Sequence, residues 1–186
     1  MWNVMTLDGC FEGEKNWDLD FHNLVWGSEL KQLSFEQLKA ADMLVFGDVT
    51  YDGMAKHWPT AEGKVADLMN NIKKVVCSKT RETADWSNAV IVKDAVSEIR
   101  KLKNEGDRAM FVFGSAILSQ SLMNAGLFDE IRLCVAPVIL GKGRRLFSEK
   151  TQKQNLKLAQ SQTLPNGGVI LKYVLSGLPS RHREKR

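Results

Sequence analysis

Proline is scarce in this chain, cysteine scarcer still, and no apolar run approaches the length of a membrane span. Each shortage excludes something. The apolar runs are only a few residues long, whereas a membrane helix needs about 20, so the sequence carries no transmembrane segment. The N-terminus lacks a basic segment followed by a long apolar stretch and a small-residue cleavage site, so no signal peptide is expected and the cytoplasm is the expected location. Cys10, Cys77 and Cys134 are odd in number and widely spaced, and the last two lie in apolar runs. They read as buried reduced thiols rather than disulfides. His22, His57 and His182 are equally scattered, so no zinc-type ligand spacing exists and no metal is expected. Excess charge is also missing once its source is located. The formal net charge is +4, but Arg181 to Arg186 contribute +3 of it, four bases against one acid. A near-neutral body without a basic, aromatic-interleaved face argues against nucleic acid as partner, leaving only the tail as a site for such binding.

What is present is the composition of one soluble domain. At 186 residues, 44% hydrophobic and 26% charged, the chain is long enough for a full core. Residues 1–177 read as one domain and 178–186 as a basic, disordered tail. Two junctions stand out. Leu44-Val45-Phe46-Gly47 precedes a helical pattern beginning near Thr50, and Phe111-Val112-Phe113-Gly114 precedes another at Ser115-Ala116-Ile117-Leu118. A strand that stops at glycine and feeds a helix leaves unpaired N–H groups at the positive end of the helix dipole, where an anion can sit. Two such junctions suit a ligand with more than one phosphate. The alternative is that both glycines are ordinary punctuation.

Strands are expected at Trp2 to Thr6, Met43 to Phe46, Ile72 to Cys77, Ala89 to Val92 and Met110 to Phe113, with only a turn between the third and fourth. Helices are expected up to about Ala41, with a capping-box restart near Ser34, then from Thr50 to His57, around Val96, Ile99 and Leu102, and from Ser115 to Asn124. Three further strands close the pattern, Ile131 to Val135, Leu156 to Thr163 and Val169 to Leu175, the last two joined by a hairpin at Pro165-Asn166-Gly167-Gly168. Alternation followed by consecutive strands implies a mixed sheet, parallel first and antiparallel at the end.

Several chemistries can be weighed residue by residue. A Rossmann fingerprint and a phosphate-loop motif are absent, and Gly141-Lys142-Gly143 reads as a tight loop. Ser115 follows a strand but lacks the second glycine of a nucleophile elbow, so helix N-cap is its expected role. The stretch from Asp8 to Asn16 is a long glycine- and acid-rich loop, a candidate lid; with Asp18 and Asp20, its acids read as solvated charge. Trp17 either folds back on the core or offers a flat face to a planar ligand.

The words at the element ends, taken in order, match a known family. They are Thr6-Leu7-Asp8-Gly9, Phe46-Gly47 with Thr50-Tyr51 and Met54, Cys77-Ser78-Lys79-Thr80, Val112-Phe113-Gly114-Ser115-Ala116, Gly126-Leu127 with Asp129-Glu130, and Pro137-Val138 with Leu140-Gly141, Gly143 and Leu146-Phe147. The chain resembles the dihydrofolate reductase-like fold, and within it the reductase domain of bacterial bifunctional riboflavin-pathway deaminase-reductases. The resemblance implies a three-layer α/β fold with helices on both faces of the mixed sheet, a homodimer, and hydride transfer from NADPH to a pteridine- or pyrimidine-like heterocycle. It places Gly47 and Thr50 on one side of the cofactor phosphates and Gly114, Ser115, Ala116, Ile117 and Leu118 on the other. Ser78, Lys79 and Thr80 meet the adenosine 2′-phosphate. Thr6, Trp17 and Met54 border the substrate, and Asp8 is the candidate catalytic carboxylate. Two positions depart from the family: Asp48 stands where a basic residue is common, and His22 stands where folate-reducing members carry a carboxylate. A second reading is therefore a nucleotide-binding module of the same fold without reductase activity.

Overall fold

The computed structural model describes residues 1–106 and 108–175; the basic 178–186 tail lies outside the described residues. Its elements are β1 (Trp2–Thr6), β2 (Cys10–Glu12), α1 (Ser28–Lys39), β3 (Met43–Gly47), α2 (Asp48–His57), α3 (Lys64–Asn71), β4 (Lys73–Cys77), β5 (Ala89–Val92), α4 (Ala95–Asn104), β6 (Met110–Val112), α5 (Ala116–Asn124), β7 (Glu130–Ala136), β8 (Arg144–Arg145), β9 (Leu156–Thr163) and β10 (Val169–Leu175). Two four-stranded sheets, β5-β4-β3-β6 and β1-β7-β10-β9, are joined edge to edge by a parallel bridge between Trp2 and Phe113. The first sheet is parallel throughout. In the second, β1 runs parallel to β7, while β10 is antiparallel to both β7 and β9. This is the mixed sheet that the sequence implies.

Strand alternation explains the three layers. Leu44 and Phe46 of β3 pack with Leu38 of α1 and Met69 of α3 on one face, while Met43 and Val45 pack with Ile99 and Leu102 of α4 and Leu118, Leu122 and Met123 of α5 on the other. Beyond the bridge, Trp2 and Val4 face Phe21, Val25 and Leu30, and Ile131 and Leu133 face the α5 side. Parallel register sets Gly47 opposite Cys77 and Val45 opposite Val112. The carboxyl ends of β3, β4 and β6 therefore share one edge of the sheet.

The local reading is corrected in several places. The capping box at Ser34 is unused: α1 runs unbroken from Ser28 to Lys39 after Gly27, because the helix as a whole, not its second half, carries Leu30 and Leu38 into the core. Helix α3 is only two turns long, too short for its apolar spacing to stand out in the sequence. The β4–β5 link is not a hairpin turn, since the two strands are parallel; it crosses back over residues 78–88 and buries Trp86 against Phe46 and Tyr51. The early loop is not free, because β2 lies within it and pairs antiparallel with β8, Cys10 opposite Arg145 and Glu12 opposite Arg144.

One buried charge holds that crossover in place. Lys74 of β4 is fully buried, and its ammonium donates to the carbonyls of Asn70 (2.6 Å) and Ser87 (3.0 Å) while lying 4.5 Å over the Trp86 ring. Trp86 in turn donates its indole N–H to Asn70 Oδ1 and its backbone N–H to the Tyr51 hydroxyl. A carbonyl at a helix C-terminus and an aromatic face both favour a cation. With no carboxylate bonded to it, burial pushes Lys74 down to about 8 from the usual 10.5. A lysine whose folded pKa lies below its unfolded value holds fewer protons when folded, so its contribution to stability rises with pH between those two values. Denaturant unfolding of the wild type and Lys74→Met should show the wild type gaining on the variant as pH is raised from about 8 to 10.5.

Candidate functional site

The two strand-to-helix junctions meet through one hydroxyl. Gly114 (φ 59°) and Ser115 (φ 57°) are consecutive left-handed residues, and this kink turns the chain from β6 into α5. A serine there is strained where glycine is not, which marks a position held by its surroundings. The holding contacts are explicit: Ser115 Oγ accepts the Gly47 N–H at 2.9 Å and donates to Thr50 Oγ1 at 2.7 Å. Ser115 thus occupies the cap position of α5 but makes no side-chain cap bond, a correction to its expected role. Its hydroxyl ties α5 to α2, and the first N–H groups of both helices open onto a single cleft. A side chain at Gly47 would press against Ser115 Oγ (3.2 Å), and one at Gly114 would meet Thr50 in an already strained backbone.

The cleft has a volume of about 1100 Å³. Gly47, Thr50, Ser78, Lys79, Thr80, Gly114, Ser115, Ala116, Ile117 and Leu118, all read as cofactor contacts, line it, as do Trp17 and Met54. Ser78 is buried, and its hydroxyl accepts the Arg81 (3.0 Å) and Thr80 (3.4 Å) N–H groups. That tight turn leaves Lys79 and Thr80 exposed at the cleft wall. Lys93 also lines the wall, but its ammonium is taken by the Arg81 carbonyl and Glu82.

Thr6 and Asp8 are not brought to the cleft. Thr6 is fully buried; it donates to Asp8 Oδ1 (2.6 Å) and accepts the Cys10 N–H. Asp8 also accepts the N–H groups of Leu140 (3.3 Å) and Gly141 (2.8 Å). The Thr6 hydroxyl and these amides hold its carboxyl down at about 2. Its position at the end of β1 suggested a substrate contact; instead it clamps the loop before β8.

Glu12 reaches the cleft, as Asp48 and Asp94 do. It is buried, accepts the Trp17 N–H and pairs with Arg144 at 3.2 Å. Trp17, at φ 65°, lays its indole in the space left by the missing side chain of Gly53, where a Cβ would fall 1.9 Å from Cζ2. The indole folds back on α2 and also borders the cleft. His22 and Asn3 also line the cleft, each with a buried nitrogen that has no partner among the described residues, His22 Nε2 and Asn3 Nδ2. Burial lowers His22 to about 4, leaving it neutral at pH 7. A count of five from Trp17 marks His22 in the sequence. Nothing local marks Asn3, Glu12 or Arg144, whose places depend on pairings between distant strands. Among the described residues, no three His, Cys, Asp or Glu side chains gather as a metal site, and no helix is long and apolar enough to cross a membrane.

A three-layer α/β domain with a cleft across the carboxyl edge of its parallel strands has the dihydrofolate reductase-like fold. The chain belongs to the RibD C-terminal domain family, whose model matches residues 1–170. It is 31% identical over 180 residues to the uncharacterized protein YyaP of Bacillus subtilis, covering 94% of this chain and 93% of that one. Over 86 residues it is 30% identical to the 2,5-diamino-6-ribosylamino-4(3H)-pyrimidinone 5′-phosphate reductase of Methanothermobacter thermautotrophicus, a match spanning 42% of this chain and 39% of the relative. Among solved structures it is similar to a putative riboflavin biosynthesis protein from Shewanella sp. PV-4, with a TM-score of 0.77 at 20% identity over 94% of this chain and 96% of that one.

Replacing Ser115 with alanine removes both bonds of the bridge and leaves the half-buried Gly47 N–H without its partner. Chemical denaturation should show a loss of about 1–3 kcal/mol, larger than for a surface serine.

Proposed function

We propose that this protein is an NADPH-dependent reductase that delivers hydride to a pteridine- or pyrimidine-like ring, similar to the pyrimidine reductases of riboflavin biosynthesis. The observation that carries the reading is the Ser115 bridge, which presents the N-termini of α2 and α5 to one cleft large enough for a dinucleotide and a second ring. The residues present fit the cofactor. Backbone N–H groups at the two helix starts would hold its pyrophosphate, and the turn at Ser78 would present Lys79 and Thr80 to the 2′-phosphate. Lys79 suits that task because, among the described residues, it forms no ion pair. When bound, the cofactor supplies the hydride. The protein holds the two rings at reacting distance and excludes water. Glu12 fixes Trp17, and Trp17 with Met54 would wall the substrate side. The neutral His22, in the place of the folate carboxylate, favours an uncharged ring over a protonated pteridine.

The second reading, a nucleotide-binding module, draws on the fate of the carboxylates. Asp8 lies outside the cleft lining and Glu12 is committed to Trp17 and Arg144, so neither stands free as a proton relay. Titration of NADPH and NADH against tryptophan fluorescence, followed by assay of reduced-nicotinamide oxidation with pyrimidine and pteridine acceptors, separates the readings. The reductase predicts tight NADPH binding and oxidation with at least one acceptor; binding without oxidation favours the module. Failure of both nucleotides to bind overturns both. Lys79→Met should weaken NADPH about tenfold and leave NADH nearly unchanged, the charge-assisted contact being lost only with the 2′-phosphate.

A further inference from the structure

Asp48 stands in the wrong place for an anion site. It is the first residue of α2, lines the cleft, and follows the Gly47 N–H that faces Ser115. A carboxylate there is favoured by the helix dipole but competes with any phosphate drawn to the same end. The structure provides its counter-charge from a different element. Arg81 Nε lies 2.6 Å from Asp48 Oδ1, and its Nη2 lies 2.5 Å from Asp52 Oδ1, one turn along α2. The guanidinium carbon sits 4.9 Å over the Tyr51 ring between them. Both ends of the Arg81 backbone are pinned: its N–H donates to Ser78 Oγ, and its carbonyl accepts from Lys93. The arginine side chain is 22% exposed and that of Asp48 40%, so salt screens the pair in part.

We infer that Arg81 is the positioning residue that makes the α2 junction competent for a cofactor pyrophosphate, by turning the Asp48 carboxylate away from the anion and fastening the 78–81 turn to the first turn of α2. The inference rests on the dinucleotide reading above and adds to it a regulating charge pair. Arg81 acts through Asp48 and not by touching the ligand. Asp48 and Asp52 share one guanidinium, and with Arg81 committed to that pair the 2′-phosphate falls to Lys79.

A set of four proteins tests this: wild type, Arg81→Met, Asp48→Asn and the double variant, each titrated with NADPH at low and high salt, with circular dichroism to check the fold. Arg81→Met frees the carboxylate beside the pyrophosphate and should weaken NADPH about fivefold to tenfold at low salt, the deficit shrinking as salt screens it. Asp48→Asn added to Arg81→Met should recover most of the loss, which a purely structural role for Arg81 would not allow. Asp48→Asn alone should bind at least as tightly as wild type. An Arg81→Met protein that binds like wild type, a double variant as weak as Arg81→Met, or weaker binding by Asp48→Asn alone would each overturn the inference. If Arg81→Met does not fold, the Asp48→Asn result decides. Wild-type protein that binds neither nucleotide removes the dinucleotide reading and this one together. Where the wild type binds, a failed rescue removes only the role of Arg81.

Discussion

The hydroxyl of Ser115 is the contact on which the cleft depends. It is held at the turn into α5 by a left-handed backbone, accepts the Gly47 amide and donates to Thr50, and so fixes two helix starts from opposite sides of β3 and β6 in one frame. Without that tie, parallel register would still align the strand ends, but each helix could settle its N-terminus independently on the sheet. A short hydroxyl side chain that donates once and accepts once satisfies both partners at once; a Cβ at Gly47 would crowd it, and Gly114 is held to glycine by its positive φ.

Around this frame the protein keeps its charges committed to structure. Asp8 clamps the 140–141 loop, Glu12 holds Trp17 and Arg144, Arg81 joins the two acids of α2, and Lys74 fastens the crossover that carries Ser78, Lys79 and Thr80. Each of these groups lies near the cleft or under a loop that forms it, and each has fixed partners. Paired or hydrogen-bonded charges in partly buried places give orientation more reliably than they give stability. The uncommitted polar groups are correspondingly informative: the exposed Lys79 at one wall, and the unpaired nitrogens of Asn3 and His22.

Much of this was legible in the chain and some was not, for identifiable reasons. The strands β3, β4, β6, β7 and β10 announce themselves because partly or fully buried runs rich in β-branched and aromatic residues end at glycine or polar turns, while β9, exposed along its whole length, is marked by its hairpin turn into β10. All ten residues read as cofactor contacts fall on one cleft, since they sit at strand ends that the parallel order must bring together. Asp8 and Thr6 sit at such an end too, but at the close of β1, where the chain turns back at once and their side chains bond to each other. The two-residue strand β8 has no periodicity to read, and the 78–88 crossover has no helix in it, so the pairing of Glu12 with Arg144 and of Arg81 with Asp48 left no local trace.

The sequence by itself determined the class of fold, the order of its elements and the glycine junctions, because hydrophobic periodicity and backbone permissiveness act over a few residues at a time. It also determined which residue types stand at the strand ends. Tertiary structure alone decided what those residues do. It took Asp8 out of the cleft and put Glu12 and His22 in, turned Ser115 from a cap into a bridge, and set Arg81 against Asp48. Those outcomes depend on distances between residues far apart in the chain, such as Asp48 and Arg81 or Glu12 and Arg144, and such distances exist only once the sheet has closed.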